Sequence, residues 1–166
     1  MTKHLSEVRT EDTILDLLRI QGWRTDKVPK GSLVRQNEYK NFPALAKMFK
    51  GKSKTGSGDA YPDFLLINPV SHIPLLVIEA KAKLEDIDKA LEEAIWYASA
   101  CHPAGHTMIA VGVAGQEHST IGVKVAKRVD GAWKDIVYNG HRISWIPTPQ
   151  DRPSRWRIDG EYLWSI

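Results

Sequence analysis

The sequence predicts an α/β fold, a mixed central sheet flanked by helices, and three observations predict it. Residues 64–67 and 75–78 are continuous apolar runs of strand length on either side of a turn containing Asn68, Pro69, Ser71 and Pro74; this is the pattern of a hairpin buried on both faces. Residues 84–100 carry Ile87, Ala90, Leu91, Ala94, Ile95 and Ala98 at three- and four-residue spacing, which buries one stripe of a helix. A strand-like stretch, 107–114, follows that helix, and strand, helix, strand implies a crossover.

In chain order, residues 10–20 form an amphipathic first helix with Ile14, Leu15, Leu17, Leu18 and the earlier Val8 as its apolar set, Thr10 as N-cap and Gly22 as stop. Residues 30–36 are a weak strand, and 42–49 a short helix with Ala44, Leu45, Met48 and Phe49 apolar. Its basic end, with Lys47, Lys50, Lys52 and Lys54, runs into Ser53, Thr55, Gly56, Ser57 and Gly58, a composition that suits a charged loop. The hairpin and long helix come next, the helix ending near Pro103. Residues 107–114 and 120–126 then alternate as strands around Gly115, and 132–138 and 142–146 are shorter strand-like pieces before a tail rich in proline, arginine and tryptophan.

The 166 residues, 42% hydrophobic and 26% charged, suit one domain over 1–166, with a core over about 10–127 and a C-terminal extension over about 128–166. Cys101 stands alone, so no intrachain disulfide forms and a reducing, cytoplasmic setting is expected. Neither a signal peptide nor a membrane span is expected, because charges interrupt every apolar stretch. A net charge of +3 and a pI near 8.9 lean weakly toward a polyanionic partner. Zinc is not expected, because Pro103 and Gly105 separate His102 from His106 and forbid a helical ligand pair. Gly56-Ser57-Gly58 lacks the following Lys-Ser or Lys-Thr of a nucleotide-binding loop.

The chemistry concentrates between Tyr61 and Lys81. Asp63 leads into one strand of the hairpin, and Glu79-Ala80-Lys81 ends the other. Side chains alternate along a strand, so Glu79 and Lys81 point to one side while Ala80 turns away and offers its carbonyl. Two carboxylates and an ammonium at one sheet edge suit a hard divalent cation. Pairing an acid after proline with a chance Glu-x-Lys is the bland alternative; the hairpin spacing and the following helix weigh against it.

Pro62-Asp63 followed by Glu79-Ala80-Lys81 resembles the PD-(D/E)xK nuclease superfamily. Ser53-Lys54-x-Gly56-x-Gly58, Gly22-Trp23 and Glu93-Ala94-Ile95-Trp96-Tyr97 extend the likeness over about residues 10–100. In these features the chain looks like the N-terminal nuclease module of type I restriction subunits and of fused type II restriction-modification enzymes associated with N6-adenine methylases. The resemblance implies a restriction-endonuclease-like α-β-β-β-α-β core and a magnesium-dependent endodeoxyribonuclease in which manganese substitutes. It implies Asp63, Glu79 and the Ala80 carbonyl as metal ligands, with Lys81 orienting water and offsetting phosphate charge rather than acting as a base. A further carboxylate is expected from the first helix, Glu11, with Glu7 one turn earlier as the alternative; both also suit a solvated first turn.

Where many restriction subunits carry Gln-x-x-x-Tyr, this chain has Glu93 and Tyr97, which share a helix face. Glu93 either joins the site, binding metal or an outer-shell water, or pairs with Lys89 on a solvated face, and the second is the expected reading. DNA contact is expected from Lys47, Lys50, Lys52 and Lys54, then from Arg152, Arg155 and Arg157, while Trp156 and Trp164 beside those arginines are expected to pack on the core rather than stack on bases. The chain has no NPPY methyltransferase motif and no helicase P-loop. Either a stand-alone relative is expected, with DNA as its partner, or a module that works with specificity, methyltransferase or translocase modules. A non-catalytic binding or assembly module of the same fold, and a junction-resolving or repair nuclease, are the competing readings.

Overall fold

Helix α1 (Leu5–Ile20) begins more than a turn before Thr10. Thr10 is therefore not its cap. The Thr10 hydroxyl instead donates to the Gly115 carbonyl at 2.6 Å, tying the helix to the rest of the chain. Gly22 does end the helix: at φ 94 its N–H reaches the Arg19 carbonyl, and the Trp23 N–H reaches that of Leu18 at 2.9 Å, the left-handed glycine stop. Ile14 and Leu18 are fully buried, whereas Val8 is exposed.

The computed structural model describes residues 5–53, 58–101, 109–138 and 140–149. After α1 come β1 (Leu33–Arg35), a 3₁₀ turn (Gln36–Asn41), α2 (Pro43–Phe49), β2 (Phe64–Ile67), β3 (Pro74–Lys81), a 3₁₀ turn (Leu84–Asp86) and α3 (Ile87–Cys101). β4 (Ile109–Ala114), β5 (Gly122–Val129) and β6 (Ala132–Asp135) follow, and β7 (Val137–Tyr138) pairs with β8 (His141–Arg142) as a separate ribbon. Lys54, His102, His106, residues 107–108, Arg152, Arg155, Arg157, Trp156 and Trp164 lie outside the described residues.

β1 to β6 form one six-stranded sheet in sequence order. β3 and β4 are parallel, the other neighbours antiparallel. The parallel pair needs the crossover that α3 supplies. The expected mixed sheet flanked by helices is thus present. Alternation along β2 and β3 then sorts the core. Phe64, Leu66, Leu76 and Ile78 join Ile14 and Leu18 on the α1 side. Leu65, Ile67 and Val77 join Phe49, Ala94 and Ala98 on the α2 and α3 side.

Two expected strands differ. Residues 132–138 split because Ile136 turns inward to the α1-side core, its N–H bonded to the Val125 carbonyl. Of 142–146, only Arg142 pairs as a strand; Ile143 and Ile146 are buried as irregular chain, and Pro147 has no N–H to extend a ladder. This extension contributes to the core, and the Trp23 indole N–H donates to the Pro147 carbonyl at 2.7 Å. Among the described residues, no helix is long and apolar enough to cross a membrane.

One glycine sets the spacing between α3 and the sheet. Gly112, on β4 opposite Glu79 of β3, faces the α3 backbone so closely that a Cβ would overlap Leu91 and Ala90 main-chain atoms. The small Ala90 and Ala94 share that contact, both fully buried. Close approach of helix to strand seats this part of α3 against the sheet at the level of Glu79.

Candidate active site

The last paired residues at this end of the β2–β3 hairpin are Phe64 and Ile78. One step further the backbone ladder stops, since Pro62 carries no N–H, and side chains take over. Glu79 Oε1 accepts the Asp63 N–H at 2.8 Å. Asp63 Oδ2 accepts the Ala80 N–H at 3.0 Å. Each strand thus supplies a carboxylate to the main chain of the other. Both carboxylates are buried, and charge-assisted bonds of this kind are about twice as strong as neutral ones.

Gln36, in the turn after β1, donates to Asp63 Oδ1 at 3.3 Å. The buried Tyr39 donates its hydroxyl to the Pro62 carbonyl at 3.3 Å and stacks on Tyr61 with ring centroids 4.6 Å apart. Neither Gln36 nor Tyr39 stood out in the sequence. They lie in a 3₁₀ turn whose residues show no period, and only tertiary contact brings them to Asp63.

Strand alternation carries Glu79 and Lys81 to the side of Val77, toward α3. There Lys81 Nζ meets Glu93 Oε2 at 2.9 Å, with side chains 19% and 11% exposed. The solvated pairing of Glu93 with Lys89 is thereby overturned: Glu93 is buried because α3 sits tight on Gly112 and turns this position inward. Burial works against the Lys81 charge, but the Glu93 hydrogen bond and the charges of Glu93, Glu7 and Glu79 outweigh it and hold the ammonium above its ordinary value. That direction suits a fixed positive charge and disfavours a neutral base.

Tyr97 lies one turn beyond Glu93, buried at 3%. Burial, then the charges of Glu79, Asp63 and Glu93, push its phenol well above the ordinary value, so it remains a donor O–H. Tyr39 is raised by burial and then chiefly by Glu79. Trp96, about 100° around the helix, leaves the core stripe and is 49% exposed.

Glu11 is buried on α1, and Arg35 Nη2 stands 3.5 Å from its Oε1. The Arg35 guanidinium lies over the Phe64 ring at 4.5 Å. Among the described residues no three or more His, Cys, Asp or Glu side chains form a group that could hold a metal ion. Of the two candidate carboxylates on this helix, Glu7 and Glu11, the charge of Glu7 acts on Lys81.

Lys47, Lys50 and Lys52 are exposed. Bonds that hold their loop include Gly51 N–H to Asp59 Oδ1 at 2.6 Å, Ser53 N–H to the Gly58 carbonyl at 3.1 Å, and Trp96 Nε1–H to the Lys52 carbonyl at 2.8 Å. No family model matches the chain, and no curated protein or solved structure matches it. The likeness to PD-(D/E)xK nucleases rests on its motif residues and their arrangement.

Proposed function

We propose that the chain is a restriction-type nuclease domain that hydrolyses DNA phosphodiester bonds with magnesium, manganese substituting. The observation that carries this reading is the mutual bracing of Asp63 and Glu79 at the end of the hairpin, with Lys81 on the same side of β3 and fixed by Glu93. The element order supports it too: with α2 taken as an insertion, α1, β1, β2, β3, α3 and β4 run in the α-β-β-β-α-β order of the restriction-endonuclease-like core.

The donor chemistry fits a hard dication. Asp63, Glu79 and the Ala80 carbonyl would hold it, all through oxygen, and magnesium is usually bound by one or two carboxylates with waters and phosphate oxygens completing the shell. Bound there, the ion supplies Lewis-acid polarisation of the phosphate and of water. Asp63 and Glu79 need little reorganisation to serve, since backbone N–H bonds already orient them. Lys81 supplies a fixed charge for the phosphate, and Tyr97 an O–H donor. Lys47, Lys50, Lys52 and Lys54 hold flanking phosphates without reading sequence. Glu11 braces Arg35 in this reading, and Glu7 adds negative charge near Lys81.

Incubation with supercoiled plasmid tests the reading: nicked or linear product should form with magnesium or manganese and not in chelator. A specific observation favours one other reading. The two carboxylates also serve as strand braces, as they would in a non-catalytic nucleic-acid-binding or assembly module. That module would bind DNA in the same assay and leave it uncut.

A further inference from the structure

Trp96 is a large aromatic left 49% exposed on the helix whose next residue, Tyr97, faces the site. Its ring is not loose. The indole N–H is fixed on the Lys52 carbonyl at 2.8 Å, so its orientation is set before any ligand arrives, and little side-chain entropy remains to be lost on binding. The same carbonyl belongs to the basic loop in which Lys50 and Lys52 are exposed, with Lys47 at the end of α2. A rigid aromatic beside cations suits a polyanion that also offers flat faces. In a duplex the base faces are hidden by stacking and pairing, so this chemistry selects an unpaired strand.

We propose that Trp96, pinned by Lys52, is a stacking platform for an unpaired nucleobase, with Lys50 and Lys52 holding the adjoining phosphates of a single-stranded segment. This rests on the nucleic-acid part of the proposed function and not on its cleavage step. The platform lies one residue from Tyr97 and three from Glu93 along α3, so a strand held there runs beside the braced carboxylates.

The test measures affinity of the full chain, in chelator, for a thymidine oligomer of about 16 nucleotides, its abasic counterpart and a duplex of equal length. Thermal melts confirm that the variants fold. Wild-type protein should bind the base-bearing strand about five- to 150-fold more tightly than the abasic one. Trp96→Ala should bring that ratio to about one, whereas Trp96→Phe, which keeps a ring without the indole N–H, should retain most of it. Equal wild-type affinity for the two strands overturns the proposal, as does a ratio that survives in Trp96→Ala. A Trp96→Phe variant as deficient as Trp96→Ala also overturns it, making the indole a strut for the loop. No cation is present and no bond is cut, so failure here is distinct from failure of the nuclease reading.

Discussion

The carboxylates of Asp63 and Glu79 brace each other's strands: Glu79 accepts the Asp63 N–H and Asp63 accepts the Ala80 N–H, at 2.8 and 3.0 Å. From sequence, two acids at one sheet edge suggest repulsion and a gain in stability when either is removed. The bracing gives the opposite sign, because an alanine leaves a buried N–H of the facing strand without its acceptor.

Asp63→Ala and Glu79→Ala should each destabilise the fold by about 1–3 kcal/mol. Asp63→Asn keeps a carbonyl oxygen for Ala80 but loses the charge assistance, so it should lie between Asp63→Ala and wild type. Urea melts of the three variants check this. A stabilised alanine variant would show that repulsion outweighs the braces.

Lys81→Met should cost about 3 kcal/mol, the low end for a buried pair because Lys81 keeps some contact with water, and adding Glu93→Leu should recover much of it. The Lys81 value is raised in the folded state, so the stability from its charge is fully present below the ordinary lysine value of about 10.4 and is lost as pH rises through the folded one. The difference between wild type and Lys81→Met should thus stay flat through neutral pH and, on the alkaline side, shrink only in strong alkali. A difference that shrinks around neutral pH contradicts the pairing.

Gly112→Ala tests how the site is assembled. The new methyl meets the α3 backbone, and overpacking of this kind costs typically about 1–3 kcal/mol. The helix must lift, which moves Glu93 from Lys81, so Lys81→Met should cost less in the Gly112→Ala background than in wild type. An additive pair of penalties would separate the helix contact from the ion pair.

Burial pushes the Cys101 thiol up to about 12. Thiolate is the reactive form, so a disulfide reagent should label the folded chain very slowly in mild alkali and react at once in denaturant. Rapid labelling of the native protein would place the thiol at the surface.

Much of the arrangement was legible in local pattern. The hairpin could be read because both strands are buried on two faces and so lack polar interruption, and α3 because its alanines recur at helical spacing. Gly22 marked a helix end through its backbone freedom. Other features depended on tertiary contact that no period reveals. Thr10 resembled a cap because threonine suits that position, yet its hydroxyl is taken by Gly115 across the fold. Glu93 read as solvated because glutamate usually is; only the close approach at Gly112 buries it. Tyr39 and Gln36 carry no signal in their own neighbourhood, and reach Asp63 through the turn after an edge strand.

Neutralising Lys50, Lys52 and Lys54 together should weaken DNA binding about equally for unrelated sequences and flatten the salt dependence by roughly 0.9 log units for each phosphate no longer neutralised. Binding across a salt series in calcium measures this without turnover. An unchanged slope would assign the DNA interface to another face of the chain.

Plasmid cleavage with wild type and Asp63→Asn side by side, at equal protein and across a magnesium series, tests whether the braced carboxylates serve a nuclease. The amide of the variant would preserve the brace to Ala80 while removing a charged ligand, so fold and DNA affinity should persist. Wild type should nick or linearise the plasmid in a magnesium-dependent way, and the variant should leave it intact. Equal cutting by both proteins, or no cutting by wild type at any magnesium or manganese concentration, would contradict that role.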